Sequence, residues 1–126
     1  VHSIAGSVAR LFSRRAVVAC VRGWSRGHRW LCQYVLGQRI LVDGVMPDGP
    51  YLYVFKHESA FETIEQPLLF RHPAVFAKEQ LFNVPVWGQT ARFYGLIPVD
   101  RDAGPKAMRA ILAAARAALD DGRPLV

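Results

Sequence analysis

The sequence predicts an α/β protein: a layered, largely parallel or mixed sheet with flanking helices, preceded by an N-terminal amphipathic helix and incomplete at the C-terminus. Short apolar segments alternate with helical segments, an order typical of a sheet covered by helices. Hydrophobic residues make up 52% of the 126 residues, which is enough for a buried core. Residues 123–126 resemble the entry into another buried strand, so we expect a truncated domain.

A basic amphipathic helix is predicted from Ala16 to about Leu36. Its apolar residues recur at spacings of three, four or seven, and arginines recur on another face. A basic helix that carries tryptophans is typical of a membrane interface, and a surface helix packed on its own domain is the alternative. We therefore divide the chain into residues 1–38, a membrane-interface helical segment, and residues 39–126, the front part of the α/β domain.

The elements of the second part are predicted from composition, periodicity and turn residues. Strands are expected at 39–43, 51–55, 74–77 and 96–99. Helices are expected at 60–71, with an interruption at Pro67, and at 86–94 and 105–119. A turn is expected at 46–50.

Charge and cysteine content narrow the classes of function. The net charge is +6, and no acidic residue precedes Asp43. Such an arm suits an anionic surface, either phospholipid or nucleic acid. No aromatic and basic platform for nucleic acid is recognisable, so we expect no nucleic-acid partner.

Cys20 and Cys32 lack metal-ligand spacing, which argues against a zinc site or a disulfide framework. No apolar run approaches the ~20 residues of a membrane-spanning helix.

The segment around His57 contains a candidate catalytic pair. A predicted strand brings His57 to its carboxyl end, where ligands bind in open α/β sheets. Ser59 is a plausible N-cap of the next helix, and Glu62 follows on its first turn. The Glu62 carboxylate can then hold one ring nitrogen of His57, and the other can accept a proton. Spacing alone also fits a surface histidine beside an unrelated glutamate.

Two ordered motifs resemble those of one enzyme family. His57-x-Ser59-x-x-Glu62 resembles the His-x4-Asp motif of the 1-acyl-sn-glycerol-3-phosphate acyltransferases and related glycerolipid acyltransferases. Gly95-Leu-Ile97-Pro-Val-Asp-Arg101 resembles their Gly-x-Ile-x-x-x-Arg block. The resemblance runs from about residue 39 to residue 126. Glu62 stands where the family usually has Asp, and the third family block, Glu-Gly-Thr-Arg after Phe-Pro, is absent. We therefore expect residues 1–126 alone to be inactive.

The resemblance implies an acyl transfer from acyl-CoA or acyl-carrier protein, as co-substrate, to the free hydroxyl of lysophosphatidic acid. His57 would be the general base and Glu62 its orienting partner, with no cofactor and no metal. The substrate-binding candidates are Arg101, Lys78, Gly95, Ile97 and Ser59. Arg101 and Lys78 would bind the glycerol phosphate, whereas Gly95 and Ile97 would shape the turn and pack the strand.

The resemblance also implies a role in phospholipid biosynthesis at a membrane. We expect association with the cytoplasmic face of the inner or plasma membrane, with acyl-carrier protein as a possible partner. The alternatives are an inactive acyltransferase remnant and a non-catalytic basic membrane-binding module.

Overall fold

The structure, a computed structural model, describes residues 14–47, 49–100 and 104–126. Four α-helices are described: α1 Arg14–Tyr34, α2 Ala60–Leu69, α3 Trp87–Tyr94 and α4 Gly104–Asp120. The strands are β1 Phe76–Lys78 and β2 Ile97–Val99, and the 3₁₀-helix Glu79–Asn83 follows β1 directly. The predicted mixed α/β class is therefore confirmed.

The two strands are parallel, and Phe76 lies opposite Ile97. Leu125 extends this arrangement, because it forms parallel bridges with both Leu52 and Ala74. The Tyr53 N–H donates to the Leu125 carbonyl at 2.9 Å, and the Phe76 N–H donates to the Val126 carbonyl at 2.8 Å. The segments at Leu52, Leu125, β1 and β2 thus lie side by side and run in one direction.

Helix α4 covers part of this sheet and supplies much of the core. The buried cluster combines two sheet segments and one helix face: Ala74, Ile97, Leu125, Ala115 and Ala118. The helix ends in a Schellman motif at Gly122, where φ is +72°. The Gly122 N–H donates to the Leu119 carbonyl, and the Arg123 N–H donates to the Ala118 carbonyl. This turn directs the chain back into the sheet at Leu125.

Two of the predicted strands are wrong. Residues 39–43 form no strand, and Leu41 is 89% exposed. Of residues 51–55, Leu52 alone forms a bridge. Both segments have a strand-like composition, but a strand also needs a partner along its length. Leu125 supplies that partner at one position, and residues 39–43 have none among the described residues.

The predicted interruption at Pro67 is also wrong. Helix α2 continues through Pro67 to Leu69, and Pro67 is buried. Proline removes one hydrogen bond from a helix interior, so packing of this buried ring must offset the loss. The predicted helices 86–94 and 105–119 match α3 and α4 closely.

Helix α1 lies close to the predicted span of residues 16–36, and its large aromatic side chains lie at the surface. Trp24 is 61% exposed and Trp30 is 57% exposed, whereas Ser25 and Cys32 are buried. The arginine side of the helix includes Arg15 and Arg26, which are also exposed. Within the described ranges, no helix has both the length and the apolar character to span a membrane.

Candidate active site

The site begins where the chain leaves the sheet and enters α2. Ser59 is the N-cap of this helix, with extended backbone angles, and its hydroxyl accepts a hydrogen bond from the Phe61 N–H at 3.2 Å. Glu62, three residues later, accepts a hydrogen bond from the Ser59 N–H at 2.7 Å. This exchange is a capping box, and it explains why α2 starts at this point.

The same carboxylate holds His57. The distance from His57 Nδ1 to Glu62 Oε1 is 3.2 Å. Glu62 Oε1 also accepts from the Glu58 N–H, and Glu62 Oε2 accepts from the Ser59 hydroxyl at 2.7 Å. The backbone and the side chain of Ser59 contribute most to holding the pKa of Glu62 well below its usual range. Glu62 is therefore ionised at neutral pH.

The ionised carboxylate determines which nitrogen of His57 carries a proton. A carboxylate only accepts hydrogen bonds, so the neutral ring must donate from Nδ1. Nε2 is then left with a free lone pair. The His57 side chain is 70% exposed, and the Glu62 side chain is 26% exposed. The pair thus presents a base at an open surface, which a bound substrate can cover.

Lys78 and Arg101 are the two cations that the family resemblance predicts to bind the glycerol phosphate. Lys78 is exposed at the end of β1, opposite Val99 in the parallel register. Arg101 follows Val99 by two residues and lies outside the described part of the chain. The carboxyl ends of β1 and β2 adjoin, so Lys78 lies close to Val99, which is two residues before Arg101. His57 also follows a sheet segment at this carboxyl edge.

Gly95 and Ile97 lie at the opposite edge of the sheet, where the chain enters β2. Gly95 is the C-cap of α3, with φ of +89°, and Ile97 is buried in the core cluster. Gly95 contacts Arg14 and Arg123: a Cβ at this position would lie 2.8 Å from Arg14 Nη2 and 2.7 Å from Arg123 Nη1. These positions agree with roles in turn geometry and packing.

Two buried charged residues were not predicted. Glu65, 1% exposed, accepts hydrogen bonds at 2.7 Å and 2.5 Å from Arg29 of α1. Arg123, 8% exposed, donates only to backbone carbonyls among the described residues. The contact between Glu65 and α1 has a weak signal in the sequence. Phe61 and Glu65 are four residues apart and so share one face of α2, and His28 of α1 contacts both. The burial of Arg123 has no local signal in the sequence.

In the part of the chain that the structure describes, no group of three His, Cys, Asp or Glu side chains could hold a metal ion.

Comparison with known proteins gives the class of protein. A family model described as Acyltransferase matches residues 38–126, so the chain belongs to the acyltransferase family. The chain is similar to a 1-acyl-sn-glycerol-3-phosphate acyltransferase of Pseudomonas aeruginosa, with 30% identity over 91 residues. That match covers 71% of this chain and 35% of the relative, so the chain spans about a third of the relative's length. No solved structure gives a significant match.

Proposed function

We propose that the protein transfers a fatty acyl group from acyl-CoA or acyl-carrier protein to the free hydroxyl of lysophosphatidic acid, giving phosphatidic acid for phospholipid biosynthesis. The observation that carries this proposal is the contact between His57 and the ionised Glu62, because it supplies a positioned base. Membership of the acyltransferase family and the similarity to a 1-acyl-sn-glycerol-3-phosphate acyltransferase support the reaction class and the acceptor.

The reaction needs one proton acceptor and no covalent enzyme intermediate. His57 Nε2 takes the proton of the acceptor hydroxyl while that oxygen attacks the carbonyl carbon of the thioester. The carbon–sulfur bond then breaks, and the leaving thiolate takes the proton from the imidazolium. A positioned base of this kind contributes about 10²–10⁴-fold in rate.

The acceptor phosphate would bind at the carboxyl edge of the sheet. Lys78 at the end of β1 supports this placement, and Arg101 is proposed as its partner on the strength of the motif. A guanidinium binds phosphate oxygens through two parallel hydrogen bonds, and an ammonium adds a point charge. Ser59 positions Glu62, while Gly95 and Ile97 shape and pack the strand entry. We also propose that the parallel arrangement at Leu125 belongs to a larger layered sheet.

We place the protein at the cytoplasmic face of the inner or plasma membrane, with residues 1–38 as the interface segment. The exposed Trp24 and Trp30 on a basic helix support this placement. The same observation favours the second candidate, a non-catalytic basic membrane-binding module. Vesicle binding is expected of both candidates, so it does not separate them.

Acyl transfer separates them. The complete product of the reading frame that contains residues 1–126 is incubated with labelled oleoyl-CoA or labelled oleoyl-acyl-carrier protein as donor, and with lysophosphatidic acid or lysophosphatidylcholine as acceptor. Labelled phosphatidic acid, with little transfer to the choline lipid, is the expected result. A folded product that binds vesicles but transfers no acyl group from either donor would contradict the proposal and favour the module.

A further inference from the structure

A cavity of about 780 Å³ lies at the amino edge of the sheet. Its lining includes five arginines: Arg14, Arg15, Arg22, Arg71 and Arg123. One carboxylate, Asp121, also lines it. The arginines come from α1, from the segment before β1 and from the segment before Leu125, so the fold gathers them from three distant parts of the chain.

Arg123 forms the buried floor of this cluster. It is 8% exposed, and its Nε and Nη2 donate to the carbonyls of His72, Pro73 and Gly95 at 3.0–3.1 Å. Nη2 also lies 3.4 Å from the Tyr94 carbonyl, and Nη1 takes part in none of these bonds. Carbonyl oxygens hold the guanidinium in place but do not neutralise its charge. Arg123 is therefore a fixed, buried cation.

The charges around Arg123 add to the excess of positive charge in the cavity. Arg14 approaches Arg123 at Gly95, and burial together with the Arg14 charge lowers the pKa of Arg123. Among the described residues, none of the five arginines forms an ion pair with a carboxylate. Like charges held together in this way repel each other unless an anion lies between them. The cluster is thus poorly compensated by the protein itself.

The adjacent His72 is part of the framework that supports the cluster. Burial lowers the pKa of His72 most, and Arg123 and Arg14 lower it further. The ring is neutral at pH 7 and donates from Nε2 to the Tyr94 carbonyl at 2.7 Å. The positive charge of the cavity therefore comes from the arginines.

The cavity lies away from the candidate active site. The segments that contain Arg71, Gly95 and Arg123 each precede a sheet segment, whereas His57 and Lys78 each follow one. Since all of these sheet segments are parallel, the two groups lie at opposite edges.

We propose that this amino-edge cavity is a second anion site, which binds a phosphomonoester or polyphosphate group. Guanidinium groups match phosphate oxygens in geometry and charge, and several arginines around one cavity favour a ligand with more than one negative charge. The group could belong to a lipid head group or to a soluble phosphate compound, and both present the same chemistry to the arginines. The proposal does not depend on the acyl-transfer reaction.

The test uses inorganic pyrophosphate, titrated by isothermal calorimetry at low and high salt into the complete product of the reading frame that contains residues 1–126. Arg71→Gln and Arg15→Gln each change an exposed lining arginine and spare the buried Arg123. We expect each to weaken binding by at least about fivefold, because each removes a charge-assisted contact. Arg26→Gln is the matched control, an exposed arginine of α1 that does not line the cavity. Lys78→Gln tests whether pyrophosphate binds instead at the opposite, carboxyl edge of the sheet.

The source of the phosphate is resolved with vesicles. Phosphatidic acid vesicles are compared with phosphatidylglycerol vesicles of equal charge, using the same variants. Preferential binding to phosphatidic acid that falls in Arg71→Gln identifies a lipid head group, whereas pyrophosphate binding without that preference identifies a soluble ligand. Three outcomes would overturn the proposal. The first is equal pyrophosphate affinity in Arg15→Gln, Arg71→Gln and Arg26→Gln. The others are a loss of affinity confined to Lys78→Gln and a wild type that binds no pyrophosphate.

Discussion

At the scale of single residues, the Glu62 carboxylate accepts four hydrogen bonds, and one of them comes from His57. The other three come from Glu58 and Ser59, within the capping box. These three bonds hold the carboxylate in place and keep it ionised before any substrate binds. The capping box of α2 therefore also fixes the orientation of the candidate base.

The tautomer of His57 tests this arrangement directly. Because Glu62 can only accept, we expect the neutral ring to carry its proton on Nδ1. A long-range ¹H–¹⁵N correlation spectrum in alkaline buffer distinguishes the two tautomers. Glu62→Ala is expected to increase the Nε2–H form, and Glu58→Ala, which removes an exposed neighbouring carboxylate, to leave the spectrum unchanged. A wild-type ring protonated mainly on Nε2 would contradict the contact.

The depressed pKa of Glu62 predicts how stability changes with pH. In the unfolded chain Glu62 titrates near its ordinary value, about 4.3, and in the folded chain it titrates lower. Its contribution is thus complete above the ordinary value and is lost as the pH falls below it. Urea unfolding of wild type and Glu62→Gln is expected to differ at pH 7, and the difference should shrink on acidification. A difference that stays constant down to pH 3 would refute this assignment.

At the scale of elements, α3 is positioned by a close backbone approach at Gly88. A Cβ at Gly88 would lie 2.0 Å from the Phe82 carbonyl oxygen, a backbone atom that cannot move away cheaply. The Gly88 N–H also donates to the Val84 carbonyl at 2.8 Å. The 3₁₀-helix and α3 can pack at this distance only because residue 88 has no side chain.

Gly88→Ala is therefore expected to lower the free energy of unfolding by about 1–3 kcal/mol. The matched control is Gly27→Ala in α1, where a Cβ meets nothing within 4 Å. That change is expected to raise stability by about 0.5–1 kcal/mol, because alanine loses less backbone entropy in a helix. Denaturant unfolding measures both, and equal effects of the two substitutions would rule out the close approach.

Helices were predictable from this sequence to a greater degree than strands. The periodicity of α1 and α4 lies within the helix itself, so it can be read locally. The segment at Leu52 depends on Leu125, more than seventy residues away, and residues 39–43 have a strand-like composition without a described partner. Composition indicates which residues suit a strand, but it does not show where the partner lies.

At the scale of the whole molecule, α1 is attached to the α/β part through α2. Glu65, 1% exposed, accepts two hydrogen bonds from Arg29 and lies 3.7 Å from His28. Its Oε1 has no hydrogen-bond partner in the described part of the chain, so the carboxylate depends on these two α1 residues for compensation. This contact, together with the packing of α1 against α3, positions the exposed tryptophans of α1 relative to the α/β part.

Glu65→Ala is expected to loosen α1. The substitution removes both hydrogen bonds to Arg29, and we expect a loss of roughly 1–3 kcal/mol in stability. Hydrogen exchange should accelerate at amides within α1 more than within α4. Glu79→Ala, at an exposed position, is the control. Unchanged protection of α1 in Glu65→Ala would show that other contacts hold the helix.

The candidate site was predictable only where its residues are close in sequence. His57, Ser59 and Glu62 lie within six positions, and their contacts follow from one helix start. The floor of the amino-edge cavity could not be inferred in this way. Arg123 meets carbonyls of residues 72–73 and 95, and the fold alone brings those positions together.

The most direct test of the account is acyl transfer by His57→Ala in the complete product of the reading frame. The substitution removes the proposed base from an exposed position, so the folded state should be preserved in circular dichroism. We expect transfer from oleoyl-CoA to lysophosphatidic acid to fall by about 10²-fold or more, while Glu58→Ala retains it. A folded His57→Ala protein that transfers acyl groups at the wild-type rate would contradict the assignment of His57 as the base.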